Sequence, residues 1–72
     1  MVYHWKKFDK FLLFIGCRFV RKKGDHRVYW RTGLTRPVVI PQDSDIPDFV
    51  IAKNLKTLGM TKEEFLEIYR NL

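Results

Sequence analysis

In the stretch Lys22-Lys23-Gly24-Asp25-His26-Arg27-Val28, one histidine stands among cations, directly after a glycine. An imidazole changes its protonation near neutral pH. Arg21, Lys22, Lys23 and Arg27 lie close enough in sequence to hold a phosphate beside it. That set suits RNA chemistry. RNA carries its own nucleophile, the 2′-hydroxyl, so cleavage needs a proton taken from it, charge balanced at phosphorus, and a proton given to the leaving oxygen. His26 is the candidate general base or acid, and Arg21, Lys23 and Arg27 are the candidate charge stabilisers. DNA lacks the 2′-hydroxyl and resists this route. The plainer reading of the same residues is a solvated hairpin turn whose histidine does no chemistry.

Asp25 precedes the histidine directly. Its carboxylate next to the imidazole favours the protonated ring, and so an acid over a base. The same charge repels a scissile phosphate, and the surrounding cations tip the expectation toward repulsion. No second acid–base residue is evident, since His4 reads as a disordered residue near the start of the chain. No metal or cofactor is expected either. One cysteine and two distant histidines, His4 and His26, give no ligand spacing. Cys17 reads as a small apolar strand residue, and a single cysteine excludes an internal disulfide.

The elements that must position His26 follow from the apolar pattern. Phe8, Phe11, Leu12 and Ile15 fall at i, i+3, i+4 and i+7, one face of a helix over 6–15, with Gly16 as its C′ residue. Leu13 and Phe14 widen that stripe and predict burial on more than one side. Strands are expected over 17–22, 26–31 and 37–41, the first two joined by the turn at 23–25. Val28-Tyr29-Trp30 is apolar or amphipathic throughout, so its alternation is ambiguous. If Val28 and Trp30 face the helices, His26 falls on that side too, though as the first residue after the turn it can still reach the sheet's end and solvent. Pro37 and Pro41 bracket an edge strand. Pro47 and Asp48 suit a helix start, followed by Phe49, Ile51, Ala52, Leu55 and Leu58 as inward residues and Gly59 as the stop. Lys53 and Lys56 fall on its exposed flank. Thr61 and Glu64 form a capping box, with Met60 and Phe65 at the staple positions, opening a helix with the stripe Phe65, Ile68, Tyr69, Leu72. The order α-β-β-β-α-α predicts one α+β domain over 1–72, with a three-stranded antiparallel sheet and its helices on one face.

Charge narrows the partner. The formal net charge is +6, unevenly spread. Through Arg36 there are ten Lys/Arg against two Asp; from Pro37 on there are four Lys/Arg against six Asp/Glu. Concentrated positive charge in the half that carries the turn is the electrostatic footprint of a polyanion binder. Phe11 to Ile15 is too short for a signal segment, and no run approaches membrane-spanning length. A cytoplasmic chain with no membrane association is expected.

The order of elements and motifs resembles the HicA (YcfA-like) toxins of bacterial and archaeal toxin–antitoxin pairs. That pattern has a short helix, a glycine, a strand ending in basic residues, a Gly-Ser-His turn, a strand, a Pro-flanked strand and a Leu-rich helix. Here Val20-Arg21-Lys22-Lys23-Gly24-Asp25-His26 occupies the signature stretch. Val38-Val39-Ile40-Pro41 resembles the third strand, Asn54-Leu55-Lys56-Thr57-Leu58-Gly59-Met60 the helix, and Glu63-Glu64-Phe65 the ending. The resemblance implies a double-stranded-RNA-binding-domain-like fold, messenger-RNA-cleaving ribonuclease activity and a HicB-like antitoxin partner. It carries the active histidine over to His26, with RNA contacts at Arg21, Lys22, Lys23, Gly24 and Arg27. Asp25 departs from the usual serine, and Gln42 stands where many relatives have a histidine. Two other readings compete: a non-catalytic RNA-binding module of the same fold, supported by Asp25, and a structural adaptor whose binding is insensitive to salt.

Overall fold

The computed structural model describes residues 1–72. Along the chain run α1 (Trp5–Phe14), β1 (Arg18–Lys23), β2 (His26–Trp30), β3 (Val38–Pro41), α2 (Asp48–Leu58) and α3 (Lys62–Tyr69). The strands form one antiparallel sheet in the order β1-β2-β3. This is the α+β arrangement that the apolar pattern predicts.

Each helix ends for a local reason. His4, far from being disordered, is the N-cap of α1: its Nδ1 accepts from the Lys6 N–H at 3.2 Å, satisfying a donor the first turn leaves open. At the other end Gly16 adopts φ +93, and the Cys17 and Gly16 N–H groups close onto the Leu12 and Leu13 carbonyls. Those two bonds make a Schellman motif, and they draw Cys17 into the turn, so that β1 begins one residue later, at Arg18. The capping box of α3 forms as expected, with Thr61 and Glu64 bonded reciprocally at 2.9 and 3.1 Å.

The core departs from the expected stripes in instructive ways. Phe8, Phe11 and Leu12 of α1 are fully buried, but Leu13 and Phe14 are exposed. On α2 the buried stripe is Ile51, Asn54, Leu55 and Leu58; Ala52 is exposed, and Phe49 is 75% exposed. Phe49 lies two residues before Ile51, about 200° around the helix, so one face cannot carry both. Asn54 is buried because its amide donates to the Val39 carbonyl at 3.1 Å, which ties α2 to the edge strand β3. On α3 Phe65 and Tyr69 are buried, Ile68 is half-buried, and Leu72, beyond the helix, is exposed.

Tyr3 joins Phe8, Phe11, Phe65 and Tyr69 in an aromatic cluster with ring centroids 4.9 to 6.5 Å apart. Backbone bonds between Ile46 and Tyr3 and between Trp5 and Asp43 hold the start of the chain in place. Burying each such ring stabilises by about 1.5–3 kcal/mol, a large share of the margin a domain this size has.

Cross-strand pairing assigns the two faces of the sheet. Tyr29 pairs with Phe19 and Val38, and Arg27 with Lys22 and Ile40. Tyr29, Val38 and Ile40 are fully buried, so this face meets the helices. Val28 and Trp30 therefore point the other way, which settles the facing the apolar triplet left open, and His26 goes with them. The buried residue of the apolar triplet is the middle one.

Candidate active site

His26 opens β2, directly across from Lys23 on β1 and Pro41 on β3. Two local devices create this placement. The first is a two-residue turn of Gly24 and Asp25, with φ +62 at Gly24. A positive φ at the first central position is the type II′ hairpin geometry, which strains any residue with a Cβ. The Gln42 N–H donates to the Asp25 carbonyl at 2.8 Å and fastens the turn to the end of β3.

The second device is a β-bulge between Phe19 and Arg21. Phe19 pairs with Tyr29, but the next pair is Arg21 with Val28, leaving Val20 as the extra residue. In a regular ladder Val20 and Lys22 would stand opposite Val28 and His26. The bulge puts Arg21 and Lys23 there instead. Two cations thus flank the imidazole on the open face of the sheet.

Those side chains border two cavities that meet at His26. One, of about 380 Å³, is lined by Arg21, Lys23, His26, Val28, Pro37 and Val39. The other, of about 470 Å³, runs between β3 and α2 and adds Arg36, Phe49, Lys53, Asn54 and Thr57. Neither lining contains an Asp or Glu, and Arg21, Lys23, Arg36 and Lys53 are paired with no carboxylate. Asp25 is the acidic neighbour: its Oδ1 lies 2.9 Å from His26 Nδ1. With Nδ1 so engaged, Nε2 is the nitrogen left for a substrate. The side chains are 51% and 79% exposed, so water screens the pair.

The remaining expected residues separate from this cluster. Gly24 shapes the turn. By register, Lys22 and Arg27 belong to the helix-facing side. The Arg27 Nε donates to the Tyr29 hydroxyl at 2.9 Å, and its guanidinium lies 4.2 Å from the Phe19 ring centre and 5.0 Å from that of Trp5. The Tyr29 hydroxyl in turn donates to Asp9. Burial first, then that bond to Asp9, pushes the Tyr29 phenol up to about 12. Arg31 is also withdrawn from the cationic surface, donating to the carbonyls of Ile15 and Leu58 at the ends of α1 and α2. Cys17 is buried, and burial raises its thiol against the opposing charge of Arg31, which suits packing and not nucleophilic attack.

Sequence reasoning missed Arg36, Phe49, Lys53 and Asn54 as site residues. One signal was available. Phe49 and Lys53 are four residues apart on a helix, hence one turn apart on the same face.

Taken together, the fold and site define a small basic α+β domain with one imidazole among unpaired cations on an open sheet. Residues 5–60 match the family model described as the HicA toxin of bacterial toxin–antitoxin systems. The chain belongs to the HicA toxin family, and so stands on the toxin side of a toxin–antitoxin pair. The match ends at Met60, before α3. No curated protein matches the chain. None of its helices is long and apolar enough to cross a membrane.

Proposed function

We propose that this toxin is an endoribonuclease, an mRNA interferase of the cytoplasm, that cleaves messenger RNA through His26 without a metal. A HicB-like antitoxin silences it by covering the His26 face. The observation that carries the reading is the position of His26 opposite Lys23 and diagonal to Arg21 on the open sheet face, with Nε2 free and no carboxylate lining the cavities. In the neutral ring, Asp25 holds the Nδ1 proton and leaves Nε2 as a base for the 2′-hydroxyl. In the cationic ring, Nε2–H is an acid for the 5′-leaving oxygen. Lys23 and Arg21 balance the charge that builds on the phosphorane. The 2′-hydroxyl supplies the nucleophile, which is why the scheme needs no metal-bound water.

Purified protein incubated with RNA in the presence of a chelator is expected to cleave it. His26→Ala is expected to lose about 10²- to 10⁴-fold in rate, the usual worth of an acid–base residue. Because His26 is an exposed strand-end residue, the melting temperature should hold. Equal cleavage by both proteins would remove His26 from the mechanism. A second reading, a non-catalytic RNA-binding module, is favoured by Asp25 standing where the family pattern has a serine. Wild-type protein that binds RNA with steep salt dependence yet never cleaves it would establish that alternative.

A further inference from the structure

The groove between β3 and α2 has features that acid–base chemistry at His26 does not use. Phe49 sits on the first turn of α2, 75% exposed at the groove's edge, although every other phenylalanine of the helices except Phe14 is buried. One turn further along the helix comes Lys53, and Arg36 lines the groove beside it. An adjoining cavity of about 380 Å³ continues the path and is lined by Thr35, Arg36, Lys53, Lys56 and Thr57, again with no acid. The combination is a flat apolar ring beside a row of unpaired cations, with His26 at one end. A groove of about 470 Å³ falls in the size range that holds small ligands, about 300–1,000 Å³.

We propose that this groove is a nucleotide subsite for single-stranded RNA. A base next to the scissile phosphate stacks on Phe49, while Lys53 and Arg36 hold the phosphates that follow. The proposal rests on the reading of this face as the RNA site and names its substrate form. A duplex keeps its bases stacked on one another and cannot offer one to Phe49, whereas a single strand can. Charge calls for a polyanion here, because cations line the groove and no carboxylate answers them, and the exposed Phe49 ring beside them favours one that carries stackable bases. Asn54 fixes the groove's width by bonding α2 to the Val39 carbonyl, so the ring and the cations keep their spacing from the sheet.

The test uses the full chain and a 2′-O-methyl oligonucleotide of mixed sequence, which cannot be cleaved, either single-stranded or annealed to its complement. Phe49→Ala is expected to weaken single-strand binding about 5- to 150-fold, the effect of losing one base–aromatic stack, at every salt concentration alike. Phe49→Trp should restore it, duplex binding should be unchanged, and the melting temperature should hold because the ring is exposed. Arg36→Gln with Lys53→Gln should instead flatten the log–log salt dependence by about 1.4, two phosphates at about 0.7 each. Single-strand affinity unchanged in Phe49→Ala, or an equal loss on single strand and duplex, overturns the subsite. Either result beside intact cleavage of ordinary RNA leaves the proposed ribonuclease standing. The expected Phe49 effect in a protein that cleaves nothing upholds the subsite and removes the enzyme. Wild-type protein that binds neither oligonucleotide overturns the subsite, and cleavage of ordinary RNA then decides the ribonuclease by itself.

Discussion

Replacing Arg27 by alanine should unfold this protein more easily without weakening its grip on RNA. The guanidinium is engaged on the helix-facing side of the sheet. It lies 4.2 Å from the Phe19 ring centre and 5.0 Å from that of Trp5, donates to the Tyr29 hydroxyl at 2.9 Å, and comes within 3.6 Å of Asp9. Each close ring contact is worth about 0.5–1 kcal/mol, and the charge-assisted hydrogen bond about 1.5–3 kcal/mol. The looser contact with Asp9 adds little. These terms share one side chain and are not additive, so a total of about 3 kcal/mol is expected. In a domain of 72 residues each kcal/mol moves Tm by about 4–8 °C, which makes the drop about 12–24 °C. Arg27→Lys should recover little of it, because an ammonium keeps the charge but not the planar stack or the Nε bond. Thermal melts followed by circular dichroism read the loss. Salt-dependent RNA binding, measured well below the melting range, reads the function. An Arg27→Ala protein that melts like wild type but binds RNA with a flatter salt dependence would refute the argument and return Arg27 to the phosphate ligands.

Asp25→Ser should slow RNA cleavage about two- to fivefold, the worth of an exposed ion pair, because the 2.9 Å contact points to support of His26 over repulsion of substrate; single-turnover rates that rise in this variant would reverse that assignment. The Tyr29 phenol is pushed up to about 12 by burial and by its bond to Asp9, while the unfolded phenol titrates near 10, so the folded chain keeps a proton that the unfolded chain gives up. Its contribution is full below about pH 10 and falls as pH rises toward 12; Tm should drop over that window more in wild type than in Tyr29→Phe, and equal drops would exclude the phenol as the cause. Asn54→Ala leaves the Val39 carbonyl without its partner and should cost about 1–3 kcal/mol by urea titration, with a loss below that range showing that water replaces the amide.

The antitoxin side of the pair places a further demand on the same face. An inhibitor that covers His26 must answer Arg21, Lys23, Arg36 and Lys53, so carboxylates are the expected complement. Hydrogen exchange on the complex should protect residues 22–27 and the start of α2, and RNA should compete for both.

Much of the architecture was legible in the residues. The glycine after α1, the capping box of α3, the tight turn before His26 and the Pro-bracketed β3 are local devices whose geometry depends on neighbours in sequence, and they appear where the pattern puts them. The family signature follows from the same order. Membership of each face was not legible. Val28-Tyr29-Trp30 offers no alternation to read, and only packing against α1 makes Tyr29 the buried residue and turns His26 to the open side. The bulge at Val20 is equally silent in sequence, yet it decides that Arg21 and Lys23, not Lys22, flank the imidazole. Arg27 looks like any other cation of the turn until Phe19, Trp5 and Tyr29 surround it. Phe49, expected inward, is exposed because a helix buries one stripe, and Asn54 is buried in that stripe because its amide supplies a donor to the Val39 carbonyl at the edge of β3. Local geometry is set by neighbours along the chain and can be read from them. Which side of a strand meets a helix is set by long-range packing, and only the folded molecule decides it.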